Sequence, residues 1–304
     1  MKPGETKDLE LKIRNSSTNT EELKIEARSF RFDNITGEVK LNDTTPSEIS
    51  EWINFSHPVF TIQPGEWFTQ KVRLILPEET GFSYSFAMLI SRTSLPKTNS
   101  AGQLLNGSVA VFTLINVDRP GATRKLDLTS LTTSQTIYEY LPATFNIKLK
   151  NTGNTIVQPY GNLFVNRGSD TTNTPAATLP VNSNQSYLLP GAERTLTATW
   201  SDGFPLYKTT TDNIGKTSTS LSWNWENLQH FRFGRYTAKI VAVYNDGTRD
   251  VPIEREVTFW VIPWKAILAT LTIIIGTILL LRFYIKKRTE KAVKTALATR
   301  KEEA

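Results

Sequence analysis

Up to about residue 261 the apolar and polar positions alternate in short runs with a period of two, broken by Gly, Pro, Asn, Asp and Thr, and no sustained 3.6-residue pattern appears. Successive side chains on a strand point to opposite faces, so this pattern predicts an all-β body. The predicted strands are Leu9–Arg14, Leu23–Phe30, Val39–Leu41, Phe60–Ile62, Phe68–Leu76, Tyr84–Ser91 and Val109–Asn116. After a linker-like break at Asp118-Arg-Pro-Gly121 they are Lys125–Leu131, Thr144–Lys150, Gly161–Val165, Arg194–Trp200, Tyr236–Tyr244 and Val251–Trp260. Roughly seven strands in about 110–140 residues is sandwich spacing. The expected architecture is therefore two tandem immunoglobulin-like β-sandwiches, 1–118 and 119–261.

A weak internal repeat supports the division. In the first half a strand ends at Asn15-Ser-Ser, and Gln63-Pro64-Gly65-Glu66 later opens the strand containing Val72, Leu74 and Leu76. In the second half a strand ends at Asn151-Thr-Gly-Asn154, and Leu189-Pro190-Gly191 opens the strand containing Leu196, Ala198 and Trp200. Proline presets φ at the first turn position and glycine accepts positive φ at the next. Near the end, Asn245-Asp-Gly247 reads as a tight hairpin between the last two strands. Tyr236, at the start of the penultimate strand, fits either a tyrosine corner or plain half-buried packing.

The pattern then changes. Ala266 to Leu281 is 16 consecutive uncharged residues, and Ile262 to Ile285, with Lys265 and Arg282 snorkelling, is 24. At about 1.5 Å per residue that is roughly 36 Å, enough to cross a bilayer core with some tilt. A buried soluble helix is the alternative, but no domain follows that could bury it. Arg282, Lys286, Lys287 and Arg288 flank its end, while Trp260 and Trp264 sit at its start as an aromatic belt would. This predicts a single-pass plasma-membrane protein with residues 1 to about 261 outside and a basic cytoplasmic tail, 286–304. Ala292, Ala296 and Leu297 recur at helical spacing in that tail, but the simpler reading is a solvated tail held near anionic lipid at about 1 kcal/mol per cation.

Such a topology needs an export signal, and Met1-Lys-Pro-Gly-Glu-Thr leads straight into alternating Leu9, Leu11 and Ile13. The expectation is a signal peptide of about 15–30 residues and one strand of about 5–6 residues ahead of Met1. Without that strand the first sandwich would have an unpaired edge and an uncovered part of its core. A tail-anchored cytoplasmic protein is the competing reading.

Charge adds little to this picture and chemistry even less. Of the net +6, the segment after Leu281 carries eight basic and three acidic residues, a net of +5, and 27 basic and 26 acidic residues remain before it. The basic pI of about 9.3 therefore gives no sign of a nucleic-acid footprint on the body, and no nucleic-acid partner is expected. There is no cysteine, and only His57 and His230 could serve as histidine catalysts. No zinc, P-loop, nucleophile-elbow or dinucleotide motif occurs. Glu78 and Glu79 are adjacent and diverge on a strand. Asp202, Asp212, Asp246 and Asp250 lack the spacing of a calcium loop and read as turn residues. No enzyme activity, metal or cofactor is expected.

Exposed Trp and Tyr could stack on sugar rings, which makes Tyr207, Trp223 and Trp225 the candidate ligand-stacking residues. Against this, the Trp223-Asn-Trp225 alternation would place both indoles on one strand face, packed on the core or covering its end. Trp52 and Trp67, on either side of Pro64-Gly65, read as structural. Asn-x-Ser/Thr strings at Asn15, Asn34, Asn42, Asn54, Asn106 and Asn184 are potential glycan acceptors, and the lack of cysteine in a long outer segment points to a bacterial or archaeal surface.

From Asn15 to Ile90 the chain carries Phe32-Asp-Asn-Ile-Thr-Gly37-Glu-Val-Lys-Leu41, Ser47 with Trp52-Ile53, Phe60-Thr-Ile-Gln-Pro64-Gly65-Glu66, and Leu76-Pro77 followed by Gly81. In these it resembles the sandwich modules of bacterial cell-surface proteins of the WxL-interacting type. The resemblance implies a peptidoglycan-binding domain, a second β-domain and one C-terminal transmembrane helix. The chain departs from that family in showing no signal peptide and in a Thr/Asn-rich second half. The expected function is a non-enzymatic, membrane-anchored surface protein that binds cell-wall polysaccharide (peptidoglycan) or another surface protein. The alternative is a structural subunit of a membrane, secretion or surface-layer assembly.

Overall fold

The structure, a computed structural model, describes residues 1–32, 39–42, 47–93, 107–169, 174–212 and 215–302. Most of the chain is β, and one long apolar helix closes it.

In the first half β1 (Thr6–Arg14), β2 (Glu21–Arg28), β3 (Phe30–Phe32) and β4 (Val39–Leu41) lead to a short helix α1 (Ser47–Trp52). Then follow β5 (Ile53–Phe55), β6 (Val59–Ile62), β7 (Trp67–Ile75), β8 (Ser83–Arg92) and β9 (Val109–Asn116). One sheet has the order β1-β7-β5 and the other β6-β2-β8-β9, with β3 and β4 pairing apart. Leu9, Leu11 and Ile13 alternate inward along β1 toward Val72, Leu74, Phe86 and Met88. α1, which the period-two pattern does not predict, buries Trp52 edge-on against Tyr84 and Phe86. Each such side chain removed from water contributes about 1.5–3 kcal/mol.

The second half has its own core. β10 (Leu126–Thr133), β11 (Ile137–Tyr138), β12 (Ala143–Asn151), β13 (Tyr160–Arg167), β14 (Ala177–Val181) and β15 (Glu193–Trp200) come first. β16 (Leu206–Thr211), β17 (Thr217–Ser222), the 3₁₀ turn Trp225–His230, β18 (Gly234–Asn245) and β19 (Asp250–Val261) complete it. The sheets are β10-β12-β15 and β11-β19-β18-β13-β14, with β16-β17 as a separate hairpin. Phe145, Ile147, Leu149, Trp200, Ile240 and Phe259 fill the space between them. Gly161 lets β13 approach β18 closely, since its φ is +145° and a Cβ there would lie 2.1 Å from the Val241 carbonyl oxygen.

The repeat read from the sequence recurs at the level of single hydrogen bonds. The amide nitrogen of Asn15 donates to the carbonyls of Asn19 and Ile62, and its Oδ1 accepts from the Ser17 N–H. The amide nitrogen of Asn151 donates to Thr155 and Leu188, and its Oδ1 accepts from Gly153. In both, the asparagine carbonyl accepts from the glycine of the later Pro-Gly turn, Gly65 or Gly191. A single buried amide thus ties the end of one strand to the start of another in each half.

The halves meet through the break at 118–121. The side chain of Asn116 brackets the backbone of Ile156 with two bonds of 2.8 Å, and Arg119 donates to the Thr80 carbonyl while lying over Phe82.

Several details go beyond the expectations. The helix α2 runs from Trp264 to Glu302, so the basic tail continues as helix through residue 302. Its Lys, Arg, Ala and Glu residues favour helix, and neither Gly nor Pro follows Gly276. Hydroxyl-to-backbone bonds of the tyrosine-corner kind are made by Tyr84, which accepts from Gly81, and by Tyr138, which accepts from Gln135. Tyr236 is buried against Trp200 and Phe259. Trp67 is exposed, under Arg14. Residues 33–38 of the family-like motif, and the sequons at Asn34 and Asn106, lie outside the described residues.

Candidate functional site

Two surfaces stand out, one at each end of the β body. The first is the helix-proximal end. The register pairs Gly234 with Val261 and Ala143 with Trp200, so residues 134–142, 201–212, 215–233 and 262–265 gather there. Glu139 follows β11, whose Tyr138 pairs in parallel with Val261, and its Oε2 accepts from the Tyr207 hydroxyl at 2.8 Å and from Lys265 Nζ at 2.6 Å. That carboxylate links the β16 strand to the first turn of α2. Burial, followed by the bond to Glu139, raises the Tyr207 hydroxyl pKa above its usual value, so it stays a neutral donor. A cavity of about 450 Å³ opens here between Tyr140, Tyr207, Thr209 and Trp264.

Trp223 and Trp225 do not occupy a strand face or the core. Trp223 lies beyond β17 and Trp225 opens the 3₁₀ turn, because both indoles pack on Phe204, at 5.8 and 5.3 Å. They stack on each other at 5.7 Å and remain 52% and 67% exposed. Tyr207, tied to Glu139, is separate from this pair and tilts against Tyr140. The three proposed stacking residues therefore do not form one platform. Trp260 and Trp264 are exposed at the same end. Trp264–Thr289 is long and apolar enough to cross a membrane, with a mean hydropathy of 2.3 and no part buried, and Arg282, Lys286, Lys287 and Arg288 are exposed at its far end.

The aspartates are all engaged locally. Asp202 pairs with Arg232 and His230, and Asp212 bonds the Lys216 N–H. Backbone and side-chain donors from Arg249 and Thr248 lower Asp246 to about 2, and Asp250 accepts from Tyr160. Among the described residues no three His, Asp or Glu side chains gather as a metal site.

The second surface is a groove of about 420 Å³ at the far end of the first half, between β1 and β9, which are edge strands among the described residues. Leu11, Ile13, Leu23, Ile90, Val109 and Val111 line it, with Arg92 and Glu21 ion-paired at its rim. Sequence periodicity marks these as inward residues and gives no sign that they face an opening.

No family model and no curated protein matches the chain. Among solved structures it is similar to the class 5 fimbriae chaperone CfaA, with 10% identity and a TM-score of 0.37 over 86% of this chain and 95% of that one. It is also similar to the CsuC–CsuE chaperone–tip adhesion subunit complex of Acinetobacter baumannii, with 13% identity and a TM-score of 0.36 over 81% and 90%. A protein of unknown function from Porphyromonas gingivalis W83 is similar over 84% and 94%, with 13% identity and a TM-score of 0.28.

Proposed function

We propose that this chain is a non-enzymatic, single-pass surface protein in which two tandem immunoglobulin-like sandwiches, 1–118 and 119–261, are presented outside the cell by α2. The observation that carries this reading is α2 itself. Among the described residues its apolar segment packs on nothing else; it has tryptophans at one end and four exposed cations at the other, and follows directly from the last strand. Among the binding partners considered, the groove favours a partner protein over wall polymer. Its apolar lining is aliphatic, its rim carries Lys12, Arg14, Glu21 and Arg92, and among the described residues it includes no aromatic ring, which suits alternate side chains of an extended polypeptide better than sugar rings.

Protease treatment of intact cells making the chain behind an export signal tests the topology: loss of the β body with retention of a membrane-bound fragment is expected, and survival of the β body refutes it. Pull-downs with purified peptidoglycan and with surface-protein extract then separate the two partner classes. Retention by peptidoglycan alone would contradict the polypeptide assignment. A second reading, a spacer subunit of a membrane assembly, draws on the short join between Val261 and Trp264 and the Glu139–Lys265 pair, which suit rigid presentation. Gly276 has no second small residue at GxxxG spacing, and crosslinking in membranes that returned only monomer would count against this reading.

A further inference from the structure

The excursion from Ser201 to Phe233 exposes more large apolar surface than an aqueous end of a sandwich should. Trp223, Trp225, Leu228, Phe231 and Phe233 are all exposed, although Phe204 beneath them is buried. They are held there by construction. Phe204 bridges to Phe231 and its N–H donates to the His230 carbonyl, while Arg232 bonds the carbonyl and carboxylate of Asp202 and lies over Trp200. The segment is therefore anchored on polar contacts and a buried ring, with its apolar tips turned out.

Its position says what covers it. Phe233 comes one residue before Gly234, whose ladder partner is Val261, and α2 begins three residues beyond Val261. The Tyr207–Glu139–Lys265 bonds tie the same excursion to the first helical turn. Exposed Trp260 and Trp264 continue the apolar surface to the helix. Indole and phenyl rings with Leu beside them, next to the base of a spanning helix, have the composition that partitions into the headgroup and acyl boundary. Glu226 is the acidic residue among the exposed tips, and Asp202 is already paired.

Resting on the reading that α2 spans a bilayer, we propose that Trp223, Trp225, Leu228, Phe231 and Phe233 dip into the outer-leaflet interface. The second half is then seated on the lipid surface instead of standing clear of it. The occupant of this apolar patch is the bilayer, which would also fix the tilt of the β body and the direction in which the distal groove faces.

The test uses the full chain in phosphatidylcholine nanodiscs with bromine at shallow acyl positions, which quenches tryptophans at that depth. Four tryptophans lie exposed at this end, Trp223, Trp225, Trp260 and Trp264; Trp200 is buried beneath them, and Trp52 and Trp67 lie in the first half. The double variant Trp223→Phe/Trp225→Phe should lose about half of the lipid-quenchable emission, and Trp260→Phe/Trp264→Phe the other half. If the first variant is quenched as strongly as the parent while the second loses all quenching, the helix is inserted and the interfacial patch is refuted. Failure of the chain to enter nanodiscs, with no quenching in any variant, overturns the spanning reading and this proposal with it. Protection of Trp223 and Trp225 by soluble peptidoglycan fragments, with no effect of brominated lipid, assigns the patch to a sugar ligand and also overturns it. Phenylalanine keeps an apolar ring on Phe204, and unchanged near-ultraviolet circular dichroism from buried Trp52 and Trp200 verifies that each variant is folded.

Discussion

The two halves use the same asparagine-centred turn and the same inner strands, yet they treat their sheet edges differently. In the second half the chain first lays β10 antiparallel against β12, then crosses to the other sheet, where β11 runs parallel to the last strand β19. Both edges beside the core are thereby covered. In the first half the matching strands are β1, which like β12 ends at the turn asparagine, and β9, which like β19 closes its half. Among the described residues neither has that cover. All that corresponds is Met1, which donates to the Asn116 carbonyl at 3.0 Å and accepts from the Asp118 N–H at 2.8 Å, a one-residue parallel bridge to the end of β9. Four residues separate Met1 from β1, as four separate Tyr138 from β12. Among the described residues, the same fold elements thus form a closed body where a crossing segment lies beside them and an apolar groove beside β1 and β9.

The largest expected effect separates the two asparagines. Asn151 is 0% exposed, and Asn151→Ala would leave the Thr155 and Leu188 carbonyls and the Gly153 N–H without their partner inside a closed body. A loss of about 3 kcal/mol is expected in denaturant unfolding of the second half. Asn15 lines the groove, where water can replace the amide, so Asn15→Ala should cost only about 1–2 kcal/mol. Equal losses would break the comparison.

The next effect sharpens it. Grafting Leu126–Ile137 ahead of Met1 places a copy of the crossing segment in register with β1 and β9, and should stabilise the first half by about 2 kcal/mol through burial of Leu11, Ile13 and Val109. A graft that leaves the unfolding midpoint unchanged would mean the groove does not accept a strand.

The smallest effect belongs to the last hairpin of the second half. Asp246 is lowered to about 2 by donors from Arg249 and Thr248. A carboxylate depressed in the folded state stabilises above its unfolded pKa, near 3.8, and that contribution drains away as pH falls from there toward 2. Asp246→Asn should therefore lower the thermal midpoint modestly at pH 6 and leave it nearly unchanged at pH 2. A deficit that persists at pH 2 would contradict this account of the turn.

Much of the β framework is legible in the sequence, because alternation such as Leu9, Leu11, Ile13 or Phe145, Ile147, Leu149 reports a buried face directly. Val109–Asn116 coincides with β9 residue for residue. What escapes is set by tertiary partners. β11 is two residues long and exists because Trp260 and Val261 lie beside it, and the Thr- and Ser-rich strands β16 and β17 bury too little to alternate visibly. The Trp223–Trp225 pair misleads for the same reason: spacing of two implies a common strand face, but Phe204 holds both rings in a turn. At the candidate sites, the aromatic and basic flanks of α2 can be read from residue order. The groove cannot, since the sequence of β1 and β9 looks the same whether or not a neighbour covers them.

The most direct measurement of the central claim exploits the absence of cysteine in the chain. Two single variants, Ser183→Cys at an exposed loop of the second half and Ala304→Cys at the C-terminus, are exposed to a membrane-impermeant maleimide on intact cells and again after lysis. For an anchored surface protein the Ser183→Cys variant labels on intact cells and the Ala304→Cys variant only after lysis. Labelling of the Ala304→Cys variant on intact cells, or protection of the Ser183→Cys variant until lysis, would contradict it.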